Sequence, residues 1–431
     1  MTYASSVAYL YSLQKHGIKL GLETMTTLTG RLGMPQARYP VLHIAGTNGK
    51  GSTAAMTAAV LQAAGYRVGL YTSPHLVEFR ERIRVNGEMI SESEVARVTG
   101  QLKGICGPDL SPTFFECTTA MAFQHFADTR VDIAVLEVGL GGRFDATNVV
   151  TPLACAITTI ALDHQEYLGT TLASIAFEKA GIIKPRVPVV VGSVPDEARR
   201  TIEQVALNRA APLSCLGRDF HSIGSTPEQF SYSGRARRYN NLHCALEGAH
   251  QLDNAACALA LLEAASSNGI EITEQAVRDG LRRVCWEGRI EVVDHRPMMV
   301  LDGAHNPAAA TALARYLRTF RQFHPGSRVI LVLGMMRDKD HRGFIEPLQE
   351  LVDEVVLTQA DLPRSATVQE LRAVLGDRWP HPHVKAVLSD AVGQAKQLAG
   401  ADDLICVTGS LMLIGDVKAL FRGCGLSPLR G

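Results

Sequence analysis

Apolar positions along the chain gather into short runs that end in polar, glycine-rich turns, and most of these runs are followed by a stretch with helical spacing. Val41 to Ala45, Tyr66 to Thr72, Val131 to Val138 and Ala154 to Ile160 each predict a buried strand, and Lys50 to Leu61 predicts an alanine-rich helix. Ahead of them, Val7, Leu10, Tyr11 and Leu13 give one helix, a turn spans Gly17 to Gly21, and a second helix runs up to Gly33. Residues 186–245 lack strong periodicity and read as a sheet-edge elaboration with exposed loops. Helices from about Asn254 to Ala265 and from Thr273 to Val284 lead to Trp286-Glu287-Gly288-Arg289, where a boundary is expected. Beyond it the alternation restarts, with strands at Met298 to Asp302, Val329 to Leu333 and Asp403 to Thr408 and a helix from Pro307. The expectation is an α/β protein of two domains, 1–289 and 290–431, the second of about 140 residues, a common domain size.

Composition narrows the function classes. The 431 residues, 46% of them hydrophobic, suit a globular chain too long for one typical core. Lys plus Arg equals Asp plus Glu at 43 each, so no strong field argues for nucleic acid or an anionic membrane, and a small substrate is expected. Nine cysteines include no Cys-x-x-Cys pair, and the N-terminus has no basic segment followed by an apolar run. A reducing cytoplasm is therefore expected, with neither export nor a zinc site. No apolar run reaches the roughly 18 residues of a membrane-spanning helix.

Chemistry enters at Val41 to Thr53, which reads strand, loop, helix. Gly46, Gly49 and Gly51 allow positive φ and close backbone approach, and the helix that follows starts with unpaired N–H groups. Such a loop cradles phosphate: Lys50 reaches the outer phosphates, and a hydroxyl from Ser52 or Thr53 can meet magnesium. The spacing departs from a Walker A loop, with Ile44 where its first glycine belongs and Gly51 where its Ser or Thr belongs. The plainer alternative is a glycine turn capping a helix; the preceding strand favours nucleotide binding.

Three further strand ends carry ligand-type side chains. The first leads into Ser73-Pro74-His75 and the second closes on Glu137 before Gly139-Leu140-Gly141-Gly142. The third runs into Asp163-His164. A carboxylate closing a parallel strand beside a phosphate loop suits the magnesium side of a nucleotide site, because buried and unpaired it would be costly. A dinucleotide fingerprint fits poorly, since the third glycine is missing and the acid precedes the loop. Arg80 to Glu88 alternates charge and ends in an Asn-Gly turn, which reads as a solvated hairpin or as arginines facing an anionic substrate. Thr113-Phe114-Phe115-Glu116 is a capping box, so Glu116 has a structural role beside any ligand role. Lys179, on spacing alone, is a solvated helix lysine.

Taken together, His43 to Thr53, Ser73 to His75, Leu136 to Arg143, Asp145 to Asn148, Leu162 to His164, Glu178 to Ile182 and Asp302 to Pro307 resemble the folylpolyglutamate synthase and dihydrofolate synthase family of the Mur-ligase superfamily. The resemblance spans nearly the whole chain and accounts for the Gly-Lys-Gly-Ser form of the phosphate loop. It implies an N-terminal P-loop NTPase-like domain, like the central domain of Mur ligases, and a smaller C-terminal Rossmann-like domain. The implied reaction uses ATP and two Mg2+ ions to activate a pterin-linked carboxylate as an acyl phosphate, which the amine of L-glutamate then attacks. The acceptors implied are dihydropteroate and reduced folates, and a monomer is expected.

By that resemblance, Thr47, Asn48, Gly49, Lys50, Gly51, Ser52, Asn254, Arg289 and Asp302 contact the nucleotide. Ser73 and Glu137 hold the first metal and His164 the second, while Lys179 is carried as a carbamate that helps hold that metal. Lys19, Leu20, Gly21, Thr113 to Glu116, and Phe144, Asp145 and Ala146 match the pterin side; His305 and Ser410 match the glutamate side. Lys50, His164, Lys179 and His305 are the expected catalytic set. The alternatives are an enzyme that only extends existing folates, a cell-wall Mur ligase, or a P-loop ATPase without ligase chemistry. About 40 residues precede the phosphate loop here, too few for the UDP-sugar domain of a Mur ligase.

Overall fold

In the computed structural model, which describes residues 1–17, 21–107 and 109–424, the phosphate-loop strand β1 (Val41–Ala45) is buried at every position. It belongs to an eight-stranded sheet with β2 (Val68–Tyr71), β3 (Ile83–Val85), β4 (Glu88–Met89), β5 (Ile133–Glu137), β6 (Ala154–Ile157), β7 (Val189–Val191) and β8 (Leu213–Cys215). The order is β4-β3-β2-β5-β1-β6-β7-β8; β3 and β4 pair antiparallel and the other six strands run parallel. Parallel strands need crossovers, and helices such as Lys50–Ala63, Phe114–Asp128 and Leu172–Ala180 supply them. One core gathers Leu10, Met25, Tyr71, Phe123 and Phe126; another gathers Ile157, Ile175, Ile182 and Ile202. Each such fully buried side chain contributes about 1.5–3 kcal/mol relative to exposure.

Register decides where the chemistry goes. Ile44 is opposite Glu137, Tyr71 is opposite Leu136, and Ala45 is opposite Ile157. Three neighbouring strands therefore deliver Ser73, Glu137 and the Gly46 loop to one edge of the sheet, and β6 delivers the Thr158–His164 segment beside them.

The stretch from Arg80 to Glu88 contains the expected Asn86-Gly87 turn, both residues at positive φ, between β3 and β4. It is not uniformly solvated: the turn Phe79–Arg82 that leads into it packs Phe79 into the core and buries Glu81 and Arg82 with it. Between 186 and 245 the chain adds β7 and β8 to the sheet. It then forms a separate antiparallel sheet of β9 (His221–Thr226), β10 (Gln229–Ser233) and β11 (Arg238–Leu242).

A third, six-stranded sheet contains β12 (Glu291–His295), β13 (Met298–Leu301), β14 (Val329–Leu333), β15 (Glu354–Leu357), β16 (His383–Val384) and β17 (Leu404–Thr408), in the order β12-β13-β17-β14-β15-β16. Only β12 is antiparallel to its neighbour. The chain divides into two compact units, 1–75 with 79–245 and 251–285, and 286–431 with 76–78 and 246–250. Two short segments thus group with the second unit although each is flanked in sequence by the first. Among the described residues no helix is long and apolar enough to cross a membrane.

Candidate active site

Gly49 takes φ 83°, a left-handed conformation that glycine adopts without strain, and starts the helix Lys50–Ala63. A side chain there would also strike the amide of Asn254, so the loop and that asparagine are packed together. Asn254 donates to Gln251 Oε1 at 2.8 Å, and Gln251 donates to Ser52 Oγ at 3.4 Å. Gln251 went unnoticed in the sequence; its signal is the three-residue spacing from Asn254, which puts both on one helix face.

The phosphate loop is fastened to the segment after β6. Thr47 N–H donates to Thr159 O at 2.8 Å, Asn48 N–H to Thr159 Oγ1 at 2.9 Å, Thr158 Oγ1 to Asn48 O at 2.7 Å, and Ala161 N–H to Thr47 Oγ1 at 3.1 Å. The same segment presents His164, itself at φ 50°, whose N–H donates to Asp163 Oδ1 and whose side chain is 40% exposed.

Lys50 Nζ donates to the carbonyls of Gly46 and Thr47, both at 3.0 Å. Lys179 Nζ donates to the same Gly46 carbonyl at 2.8 Å. Far from being solvated, Lys179 is buried in the last turn of Leu172–Ala180. Burial, then the nearby Lys50 charge, lower its pKa to about 7, partly opposed by Asp163 and Asp145. Periodicity could not show this, because the surface that covers Lys179 comes from distant sequence: Gly142 approaches the Glu178 and Lys179 carbonyls so closely that any Cβ would clash.

Ser73 N–H donates to Glu137 Oε2 at 3.0 Å, which joins the two expected metal-side residues. A carboxylate beside a serine, at the edge that holds the phosphate loop, is the hard oxygen chemistry that suits Mg2+.

On the expected pterin side, Thr113 and Glu116 form the reciprocal cap, Thr113 N–H to Glu116 Oε2 at 2.7 Å and Glu116 N–H to Thr113 Oγ1 at 3.2 Å. Phe114 stacks on Tyr11 with centroids 5.0 Å apart, and Phe115 lies over Gly139. Asp145 is consumed by its own loop: Oδ2 accepts from Gly139 and Leu140 N–H, and Oδ1 from Thr147 N–H and Oγ1. All four acceptor positions of that carboxylate are filled. Ala146 is buried, whereas Phe144 is exposed and stacks on Arg143, whose guanidinium also pairs with Glu178. Gly21 takes φ 136°; Lys19 and Leu20 lie outside the described residues.

In the second unit, Asp302 follows β13 and accepts from Ile290 N–H at 2.9 Å and Ala304 N–H at 3.0 Å. Arg289 donates to Gly288 O at 2.9 Å, and its guanidinium lies against Gly303. His305 Nδ1 pairs with Gly303 O at 2.8 Å. Ser410 caps the helix Leu411–Arg422 by accepting from Met412 N–H. The Gly409 N–H bond to Ala304 O, 3.1 Å, draws the His305 and Ser410 loops to the same end of the sheet.

Residues 44–262 match the Mur ligase middle domain and residues 288–411 the Mur ligase, glutamate ligase domain. The chain is 36% identical to the dihydrofolate synthase/folylpolyglutamate synthase of Bacillus subtilis (strain 168), over 96% of this chain and 98% of that one. Its fold resembles that of Escherichia coli FolC in complex with DHPP and ADP, with a TM-score of 0.89 at 36% identity and 98% of each chain covered. A bifunctional folylpolyglutamate synthase/dihydrofolate synthase with Mn, AMPPNP and L-glutamate bound is similar to the same degree, TM-score 0.89 at 35% identity and 98% of each chain.

Proposed function

The chain belongs to the dihydrofolate synthase/folylpolyglutamate synthase branch of the Mur ligase family, and on that premise we propose that it is an ATP-dependent ligase joining L-glutamate to dihydropteroate and to reduced folates. An oxygen of the acceptor carboxylate attacks the γ-phosphorus of ATP, the bond to ADP breaks, and an acyl phosphate forms. The amine of glutamate then attacks the acyl carbon, loses a proton, and phosphate leaves with the former C–O bond. The two acceptors share the pterin, the reacting group and the nucleophile, so one ATP site serves both.

The observation that carries this reading is the Gly46 carbonyl with two lysine amines on it. Lys50 lies at the mouth of a phosphate loop, where its charge offsets that of the transferring phosphoryl group. Lys179, with its pKa held near 7, has the neutral amine that carbon dioxide requires, and we assign it to a carbamate. Mg2+ would be held by Ser73 and Glu137, and by His164 with the Lys179 carbamate, and would supply charge neutralisation at the phosphates. Thr47 to Ser52 and Asn254 are proposed for the phosphates, Arg289 and Asp302 for the rest of the nucleotide, and His305 and Ser410 for glutamate. Thr113 to Glu116 and Phe144 to Ala146 are proposed to shape the pterin side, with Asp145 acting by holding its loop. A cytoplasmic location is supported by the nine cysteines, every one of which is a free thiol.

ADP release with dihydropteroate or a reduced folate, each with and without glutamate, tests the proposal. Glutamate-dependent turnover of both acids is expected. Turnover of folates alone leaves an extension-only enzyme, and ATP hydrolysis indifferent to acid and glutamate rejects the ligase reading.

A further inference from the structure

Arg82 is 3% exposed, and no carboxylate of the described residues pairs with it. A buried guanidinium without a counter-charge is costly. What holds it is neutral. Its Nε–H donates to His75 Nδ1 at 2.8 Å, and its Cζ lies 5.2 Å from the centroid of the Phe114 ring. Because an arginine can only donate, His75 Nδ1 is an acceptor, so the ring is uncharged, with its proton on Nε2, 3.2 Å from Tyr11 Oη. Phe79 and Tyr11 complete an aromatic wall around His75 and Phe114. Burial pulls the Arg82 pKa down, opposed by Tyr71, Tyr11, Glu81 and Glu137.

The location is informative. The Arg82 carbonyl accepts from Thr72 N–H at 3.0 Å, one residue before the Ser73 that meets Glu137, while the guanidinium lies on Phe114, in the segment proposed for the pterin acid. Arg82 thus links the acceptor segment, through its guanidinium, to the strand end on the metal side, through its backbone. In the proposed reaction the acceptor carboxylate has to lie between those two, since it joins the pterin to the phosphoryl group. With Nε committed to His75, the terminal nitrogens remain for a planar anion.

We propose that Arg82 recognises the carboxylate of the acceptor acid, held in place by His75 and Phe114, and so selects an acid over an uncharged analogue. This rests on the ligase reading above. His75 and Tyr11 serve as positioning residues, since they set the plane of the guanidinium without meeting the substrate.

The test compares dihydropteroate with its carboxamide, in the wild type and in Arg82→Met, by the KM of the acid, the inhibition constant of the amide and the KM of ATP. The wild type is expected to favour the acid by at least about 10-fold. Arg82→Met should raise the KM of the acid about 10- to 100-fold and leave that of ATP and the affinity for the amide within about two-fold. A folded Arg82→Met protein with unchanged KM for the acid, or with equal losses for acid and amide, overturns the inference. If Arg82→Met does not fold, Arg82→Lys takes its place. It should keep the preference for acid over amide but with a raised KM, and a wild-type KM in that variant overturns the inference. A wild type that makes no amide product from either dihydropteroate or a reduced folate rejects the ligase reading itself, whatever the variants do; if only the folate is used, the same comparison is made between that folate and its carboxamide.

Discussion

Lys50 Nζ and Lys179 Nζ meet on one acceptor, the carbonyl oxygen of Gly46, at 3.0 and 2.8 Å. Burial of Lys179, and after it the like charge of Lys50, lowers the Lys179 pKa to about 7. One carbonyl of the loop thus holds both amines, and the buried one is shifted toward its neutral form.

Replacing Lys50 with methionine is expected to lower kcat by at least about 100-fold, the scale of losing a preorganised charge at a developing anion. Circular dichroism should show an unchanged fold, since Lys50 is only partly buried and contributes nothing to the core. Turnover within about ten-fold of wild type in a folded Lys50→Met protein would remove the loop lysine from the mechanism.

Carbamate formation on Lys179 needs the neutral amine, whose fraction rises as pH increases through about 7. Protein prepared free of carbon dioxide should regain activity with added bicarbonate, more completely at pH 8 than at pH 6. Labelled bicarbonate should give a carbamate carbon signal by NMR that Lys179→Met lacks. A free amine at residue 179 in the active, magnesium-loaded protein rejects the assignment.

His43 is fully buried on β1, with Nε2 2.8 Å from Thr147 Oγ1, and burial followed by the Lys184 charge brings its pKa from 6.5 to about 3. The unfolded chain takes up this proton first on acidification. Stability is therefore full above pH 6.5 and declines as pH falls toward 3, by up to about 1.4 kcal/mol per unit from this group. Urea midpoints measured across that range should fall more steeply for wild type than for His43→Leu; parallel curves would refute the assignment.

Asp145→Asn replaces one carboxylate oxygen by an amide donor, and because each oxygen accepts two of the four hydrogen bonds, two former donors are left facing another donor. A loss of about 1–3 kcal/mol in stability is expected, with a raised KM for both pterin acids. Raised KM with an unaltered urea midpoint would mean that Asp145 meets the substrate and does not organise the loop.

The parts of the site that local chain geometry creates were legible in sequence. A glycine-rich turn between a strand and a helix can be read wherever it occurs, and so can the Thr113–Glu116 cap, because both depend on residues a few positions apart. The alternation of apolar runs and helices likewise conveyed the α/β class. What depends on distant segments was hidden. Lys179 looked like a surface lysine because Gly142, which packs on its backbone carbonyl, and Gly46, whose carbonyl accepts its hydrogen bond, lie roughly 40 and 130 positions away. Arg82 looked like one of three alternating hairpin charges, although only its neighbours in space distinguish it from Arg80 and Arg84. Segments of three and five residues that join another compact unit carry too little pattern to be noticed at all.

The hydrogen bonds between Thr47-Asn48 and Thr158–Ala161 have a kinetic consequence. Loop and neighbouring segment are stitched by one peptide-to-peptide bond and by the hydroxyls of Thr47, Thr158 and Thr159, so opening the phosphate cradle as a flap would break these bonds or carry the His164 turn with it. Nucleotide therefore meets a receptor already in shape, and little reorganisation remains for the moment when charge shifts between oxygens. Slow steps in turnover should originate in parts of the chain less firmly sewn than this one.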